Sequence, residues 1–231
     1  MLSAFISLLL PPRCAACRAP SLPADPFCEP CAATLVECPP GCAVCGLPVD
    51  FHSEVLALKA RRCPRCAGHP PAFARAHAPW LFGGALAEGI HRLKYGRAYG
   101  VARPLGRLLA STGAPMADLI APIPLHKKRL RERGFDQALL LARTLSSAWK
   151  LPLEPRLLRR IRETRPQVGL DTRAREANVR GAFLSAKHAQ GKRVLLVDDV
   201  LTTGATAAAC ARALKEAGAR RVEVLALARA I

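Results

Sequence analysis

Acidic residues are scarce in this chain: 17 Asp and Glu stand against 35 Lys and Arg in 231 residues, a formal net charge of +18. Such a field attracts polyanions at long range, which directs attention to nucleotides, sugar phosphates and nucleic acid as partners. Long apolar runs are missing as well. The apolar N-terminus, Met1 to Leu10, falls well short of the roughly 18 residues that a membrane span needs, so no span is expected. It has no basic flank and is broken by Pro11 and Pro12, which argues against a secretory leader and for a short helix packed on the body. A soluble, cytoplasmic protein is the expectation. No G-x-x-x-x-G-K-[ST] occurs, which excludes P-loop nucleotide binding. Cysteine all but vanishes after Cys66, with Cys210 the single exception.

What the early part of the chain has is cysteine in pairs. Cys14 and Cys17, Cys28 and Cys31, Cys42 and Cys45, and Cys63 and Cys66 are four Cys-x-x-Cys turns in succession. One such turn brings two thiolates to one ion at tetrahedral angles, and a second closes the shell without leaving a position for substrate, so two structural zinc sites are expected. The last two pairs enclose 17 residues, inside the spacing of zinc ribbons, and the first two enclose 10, a tighter knuckle. Glycine and proline after a pair, as in Cys42-Ala-Val-Cys45-Gly46-Leu47-Pro48, suit a turn whose backbone N–H groups point at sulfur. A disulfide framework is the alternative, but it needs an oxidising compartment. Which pair joins which stays open. Cys38 is left over, either buried or standing in for an assigned ligand, and His52 and His69 read as loop histidines.

After His69-Pro70-Pro71 strand and helix signals alternate, which places a domain boundary near residue 70 and divides the chain into 1–70 and 71–231. Leu86, Ile90 and Leu93 recur at helical spacing within 85–95. Asp118 to Ile123 reads as a short buried strand, and Gln137 to Lys150 as a helix with Leu140, Leu141, Thr144, Leu145 and Trp149 inward. Arg193 to Val197 and Val222 to Leu227 are mainly apolar runs of strand length. The helix between them, from about Gly204 to Ala217, ends at Gly218, a suitable residue after a helix. This strand, helix, strand unit predicts a right-handed crossover and an α/β fold with an open, mostly parallel, Rossmann-like sheet. Such sheets bind ligands beyond the carboxyl ends of their strands.

Asp198 and Asp199 stand at one such strand end. Two adjacent carboxylates repel a phosphate but accept hydrogen bonds from sugar hydroxyls. Directly after them, Thr202-Thr203-Gly204-Ala205-Thr206 offers backbone N–H groups and three hydroxyls at a helix start, an anion cradle. Acids for a ribose and amides for its 5′-phosphate make one pentose-phosphate site. A Walker B strand is excluded by the missing P-loop, and an acidic phosphoacceptor site by the threonine-glycine run that follows at once.

At these residues the chain resembles a known family. Val194-Leu-Leu-Val-Asp-Asp-Val-Leu-Thr-Thr-Gly-Ala-Thr206 looks like the phosphoribosyl diphosphate (PRPP) loop of type I phosphoribosyltransferases. The cysteine pairs, Leu93-Lys94-Tyr95-Gly96, Pro122-Ile123-Pro124-Leu125-His126, Arg133-Gly134-Phe135, and Thr164, Gln167, Leu170, Arg173, Asn178, Ala182 and Phe183 narrow the resemblance to the ComF family, including GntX-like proteins. The resemblance implies a double zinc ribbon ahead of a phosphoribosyltransferase domain, PRPP bound with Mg²⁺, transfer of the phosphoribosyl group to an acceptor not named by any motif, and association with competence and DNA uptake. It assigns Asp198 and Asp199 as the catalytic acids at the ribose. Two positions depart from the pattern: Asp136 stands where asparagine is usual, and Phe82 where tyrosine is common.

Lys127, Lys128, Arg129, Arg131 and Arg133 crowd what reads as a loop after the strand end at Ile123, and the resemblance turns that loop toward the diphosphate. Charge there would stabilise the leaving group. The arginine-rich stretch Arg159 to Arg180 resembles a hood that closes over the diphosphate and excludes water. The rival expectation is a non-catalytic binder of single-stranded DNA built on the same fold. Aromatic residues are sparse in that stretch, with only Phe183 close by, so stacking platforms for bases gain little support.

Overall fold

The computed structural model describes residues 12–22, 25–49, 62–96, 98–163 and 172–231, with backbone alone at 172, 173, 175 and 176. The helix expected over Met1 to Leu10, His52, and Thr164, Gln167 and Leu170 lie outside the described residues, as does the side chain of Arg173.

The strands are β1 (Arg75–His77), β2 (Trp80–Leu81), β3 (Leu119–Pro122), β4 (Leu158–Arg160), β5 (Phe183–Ser185), β6 (Arg193–Leu201) and β7 (Arg221–Arg229). The helices are α1 (Glu29–Ala32), α2 (Pro64–Gly68), α3 (Gly84–Tyr95), α4 (Ala102–Ala110), α5 (Lys127–Arg133), α6 (Gln137–Trp149), α7 (Thr172–Val179) and α8 (Ala205–Glu216). The two long apolar strands pair in parallel, from Arg193 opposite Arg221 to Leu201 opposite Arg229. β3 lies parallel on the far side of β6, and β1 and β2 both pair in parallel with β7. β4 and β5 form a separate antiparallel hairpin.

Because strand side chains alternate, β6 serves two cores. Val194 and Leu196 pack with α8 and the β4–β5 hairpin, and Leu195 and Val197 pack with α3, α4 and α6. Leu86, Ile90 and Leu93 of α3 are buried as expected, each worth about 1.5–3 kcal/mol. On α6, Leu141 and Leu145 are buried, whereas Leu140, Thr144 and Trp149 are half-buried flank positions. Thr144 is held there by α4: a Cβ on Gly106 would stand 2.6 Å from the Thr144 Cβ, so the two helices cross through a position only glycine fits. Gly218 ends α8 in the left-handed region, with φ 86°.

The cysteine ribbons share these cores. Cys14, Ala15 and Phe27 pack with α3 and α4, and Cys42, Cys45, Cys63 and Cys66 pack with the α8 side of the sheet. On α3, Arg92 Nη1 donates to the carbonyls of Cys14 at 3.0 Å and Ala15 at 2.7 Å, and the N–H of Ala85, in the first turn of the helix, donates to Thr34 Oγ1 at 3.0 Å. The second ribbon meets the sheet through Ala76 N–H to Val44 O at 2.7 Å and Arg229 Nη1 to Cys45 O at 2.9 Å.

Two expected boundaries are corrected. The strand bearing Asp198 and Asp199 does not end at Val197, because β7 continues to pair with it as far as Leu201. On the other edge β3 stops opposite Val197, where Ile123 N–H donates to Val197 O at 2.9 Å, so the cleft opens beside β6 at Asp198. The basic run 127–133 is a helix and not a loop: the Lys128 N–H donates to His126 Nδ1 at the start, and Gly134, with φ 77°, closes the end.

Candidate ligand cleft and metal centres

Strand alternation sends the two neighbouring acids to opposite faces. Asp198 lines two adjoining cavities, of about 390 and 420 Å³, and Thr206 is their other shared residue. Asp199 is 4% exposed, lines neither cavity, and pairs through Oδ1 with Lys94 Nζ at 2.9 Å. Its Oδ2 is buried with no hydrogen-bond partner among the described residues. Burial, reinforced by the adjacent charge of Asp199, pushes the Asp198 carboxyl up to about 8.

The first cavity joins the loop to an aromatic wall. Thr202, Gly204, Ala205 and Thr206 form one side, and Phe82, His91 and Tyr95 the other. The His91 ring lies 6.1 Å from that of Phe82 and 6.0 Å from that of Tyr95. Gly204 precedes α8 with φ 76°, a conformation that favours glycine, and it brings the loop backbone to the cavity edge. Thr203 lines neither of these two cavities; its Oγ1 accepts from the Ala205 N–H at 3.3 Å beside the helix start.

The second cavity is basic. Lys128, Arg129, Arg133 and Arg160 line it with Gln137, and Glu132 and Glu163 lie at its edge. Lys128 meets Glu163 at 3.1 Å and Arg129 meets Glu132 at 4.0 Å, so part of the charge is already matched. Arg133 sits over the Tyr95 ring at 5.2 Å. Lys127 and Arg131 are exposed and line neither cavity. Arg160 reaches the cleft from β4, stacked over Phe183 at 5.4 Å, and burial pulls its pKa down. Asp136 takes a structural part: it accepts from the Leu139 N–H at 3.0 Å, capping α6, and from the Leu125 N–H at 3.2 Å, tying the β3 loop to that helix.

The cysteines gather as two sets, Cys14, Cys17, Cys28 and Cys31, and Cys42, Cys45, Cys63 and Cys66, with the four sulfurs of each within 4.8 Å of one another. Cys17 and Cys28 sulfurs lie 3.5 Å apart and those of Cys45 and Cys63 3.7 Å, close to the ~3.8 Å edge of a tetrahedron with Zn–S bonds of about 2.3 Å. Adjacent pairs therefore share a site, and Cys38 belongs to neither. The thiols cannot all ionise unaided. Burial opposes ionisation of Cys14, yet backbone N–H groups of Cys28, Cys17 and Ala16 hold it down at about 6, while burial and the neighbouring thiols push Cys31 up to about 12. A zinc ion removes that conflict. Arg229, 3% exposed, lies against the second set, and a buried guanidinium calls for an anionic neighbour. A zinc-bound Cys₄ shell carries about −2 and supplies one. Both donor sets fit structural zinc.

Comparison with known proteins matches two parts of the chain. A double zinc ribbon domain matches residues 5–67, and a phosphoribosyl transferase domain matches residues 137–231, which include the whole loop. The DNA utilization protein YhgH of Salmonella typhi is 33% identical over 233 residues, covering 97% of this chain and 100% of its own. The chain belongs to the ComF family. Within the ComF family, competence protein F of Haemophilus influenzae is 29% identical over 80% of this chain and 83% of its own, and competence protein ComFC of Bacillus subtilis is 36% identical over 43% and 39%. Among solved structures, the glutamine PRPP amidotransferase of B. subtilis complexed with ADP and GMP overlaps 56% of this chain and 26% of its own, with 27% identity and a TM-score of 0.41.

The structure adds residues that sequence reasoning did not assign to the site. Lys94, Tyr95 and Phe82 entered only through the family resemblance and carried no role, and Arg160 stood unsingled within the arginine-rich stretch; His91 and Gln137 gave no local signal of a site. No helix among the described residues is long and apolar enough to cross a membrane.

Proposed function

We propose that this ComF-family chain binds Mg·PRPP in the double cavity and transfers its phosphoribosyl group to an acceptor. The observation that carries this reading is the position of Asp198 and Thr206 on the shared edge of the two cavities, where β3 stops beside β6. The 5′-phosphate sits against the backbone of residues 202–206, the ribose hydroxyls on Asp198, and the diphosphate beside Lys128, Arg129, Arg133 and Arg160. Asp199 acts from behind: its pair with Lys94 fixes a cation at the cavity wall. Lys127 and Arg131 add to the field that draws the anion in. Residues 1–70 serve as a zinc-stabilised module and 71–231 as the phosphoribosyltransferase-like unit, in a cytoplasmic protein.

Product analysis after incubation with PRPP, Mg²⁺ and candidate bases and amines tests the transfer. Release of diphosphate with a new phosphoribosyl compound supports it, and intact PRPP with every acceptor opposes it.

The net charge of +18 and the names of the relatives, DNA utilization and competence proteins, favour a second role in DNA uptake, with single-stranded DNA as a partner. A fluorescence titration across salt concentrations checks this, because phosphate contacts give affinity that falls steeply with log salt.

A further inference from the structure

Arg65 stands between two metal ligands, in the turn Cys63-Pro64-Arg65-Cys66 that opens α2. Its Nη1 donates to the carbonyl oxygen of Thr203 at 2.7 Å, a link between residues 138 apart in the chain. The same ribbon is tied to the sheet by Arg229 Nη1 on Cys45 O at 2.9 Å. Arg229 pairs in register with Leu201, the last residue of β6 before the loop, and the next N–H, of Ala230, donates to Leu201 O at 3.0 Å. The second ribbon thus grips the loop at Thr203 and the strand end that launches it.

In a trans peptide the C=O and the following N–H point in opposite directions. Holding the Thr203 oxygen toward the ribbon turns the Gly204 N–H away from it, and Gly204 is a residue of the 390 Å³ cavity wall. Glycine at 204, with φ 76°, tolerates either orientation of that peptide. Turned over, it would offer an anion a carbonyl oxygen where an amide is needed. We propose that Arg65 is a positioning residue that locks the Thr203–Gly204 peptide with its amide toward the phosphate, so that the filled second zinc ribbon sets the geometry of the PRPP loop. The proposal rests on reading residues 202–206 as a phosphate cradle. The first ribbon bears instead on α3, through Arg92.

Wild type, Arg65→Ala and Arg65→Lys are compared by zinc content, by hydrogen exchange of the 202–206 amides without ligand, and by calorimetry with Mg·PRPP. The expected result for Arg65→Ala is two zinc ions retained, faster exchange in the loop and affinity weaker on the order of tenfold, with part of each effect recovered in Arg65→Lys. Unchanged exchange in a zinc-replete Arg65→Ala protein overturns the lock, and so does unchanged affinity. If Arg65→Ala loses metal, Arg65→Lys with two zinc ions decides by the same readouts. If wild type does not bind PRPP, the functional reading fails, and loop exchange alone decides the lock.

Discussion

Lys94 Nζ lies 2.9 Å from Asp199 Oδ1, and Lys94 lines the 390 Å³ cavity together with Asp198. Of the two adjacent carboxylates, one faces the cavity directly and the other reaches it through a cation on α3.

Removing that cation leaves a buried carboxylate without a counter-charge. Lys94→Met should cost about 2–3 kcal/mol by urea denaturation, less than a fully enclosed pair because the lysine is 19% exposed. The double change Lys94→Met with Asp199→Leu should recover much of that loss. A single change costing under about 0.5 kcal/mol would show the pair to be unimportant.

Asp198 gives stability a pH slope. Its carboxyl is raised to about 8 in the folded chain, first by burial and then by Asp199, against an unfolded value of about 3.9. The folded state therefore holds a proton that the unfolded state releases, so stability declines as pH rises from about 4 through about 8. Asp198→Asn should flatten the decline and melt higher than wild type at pH 8. Parallel melting curves for the two proteins across that range would contradict the assignment.

Much of this was legible in the sequence because it depends on local pattern. The Cys-x-x-Cys spacing announced two metal shells, and the acids, threonines and Gly204 announced a loop at a strand end. Sequence could not divide the work of Asp198 and Asp199. Their alternation was readable, but which face held Lys94 depended on how α3 packs on β6. In sequence the basic run reads as a loop because charge carries no helical period, whereas in the fold His126 and Gly134 cap it as α5. Phe82 follows β2, His91 is on α3 and Arg160 is on β4, and only the folded chain brings them to the cleft.

Zinc should be measurable as two ions per chain. Cys63→Ser should reduce this to one and lower the melting temperature, since the second set of sulfurs belongs to the core on the α8 side. Retention of two ions would mean that a different set of ligands is used.

Gly106→Ala probes the crossing of α4 and α6. The added methyl meets Thr144 at 2.6 Å and should cost about 1–3 kcal/mol in thermal or urea unfolding, with little change in zinc content. Adding Thr144→Ala should relieve most of it.

The central claim is that the cleft around Asp198 takes a pentose phosphate. Isothermal calorimetry of the zinc-replete protein with Mg·PRPP tests it most directly, alongside Asp198→Ala with Asp199→Ala. Saturable binding by wild type, weakened at least tenfold in the double variant, is the predicted result. No binding by wild type, or equal binding by both proteins, would contradict it.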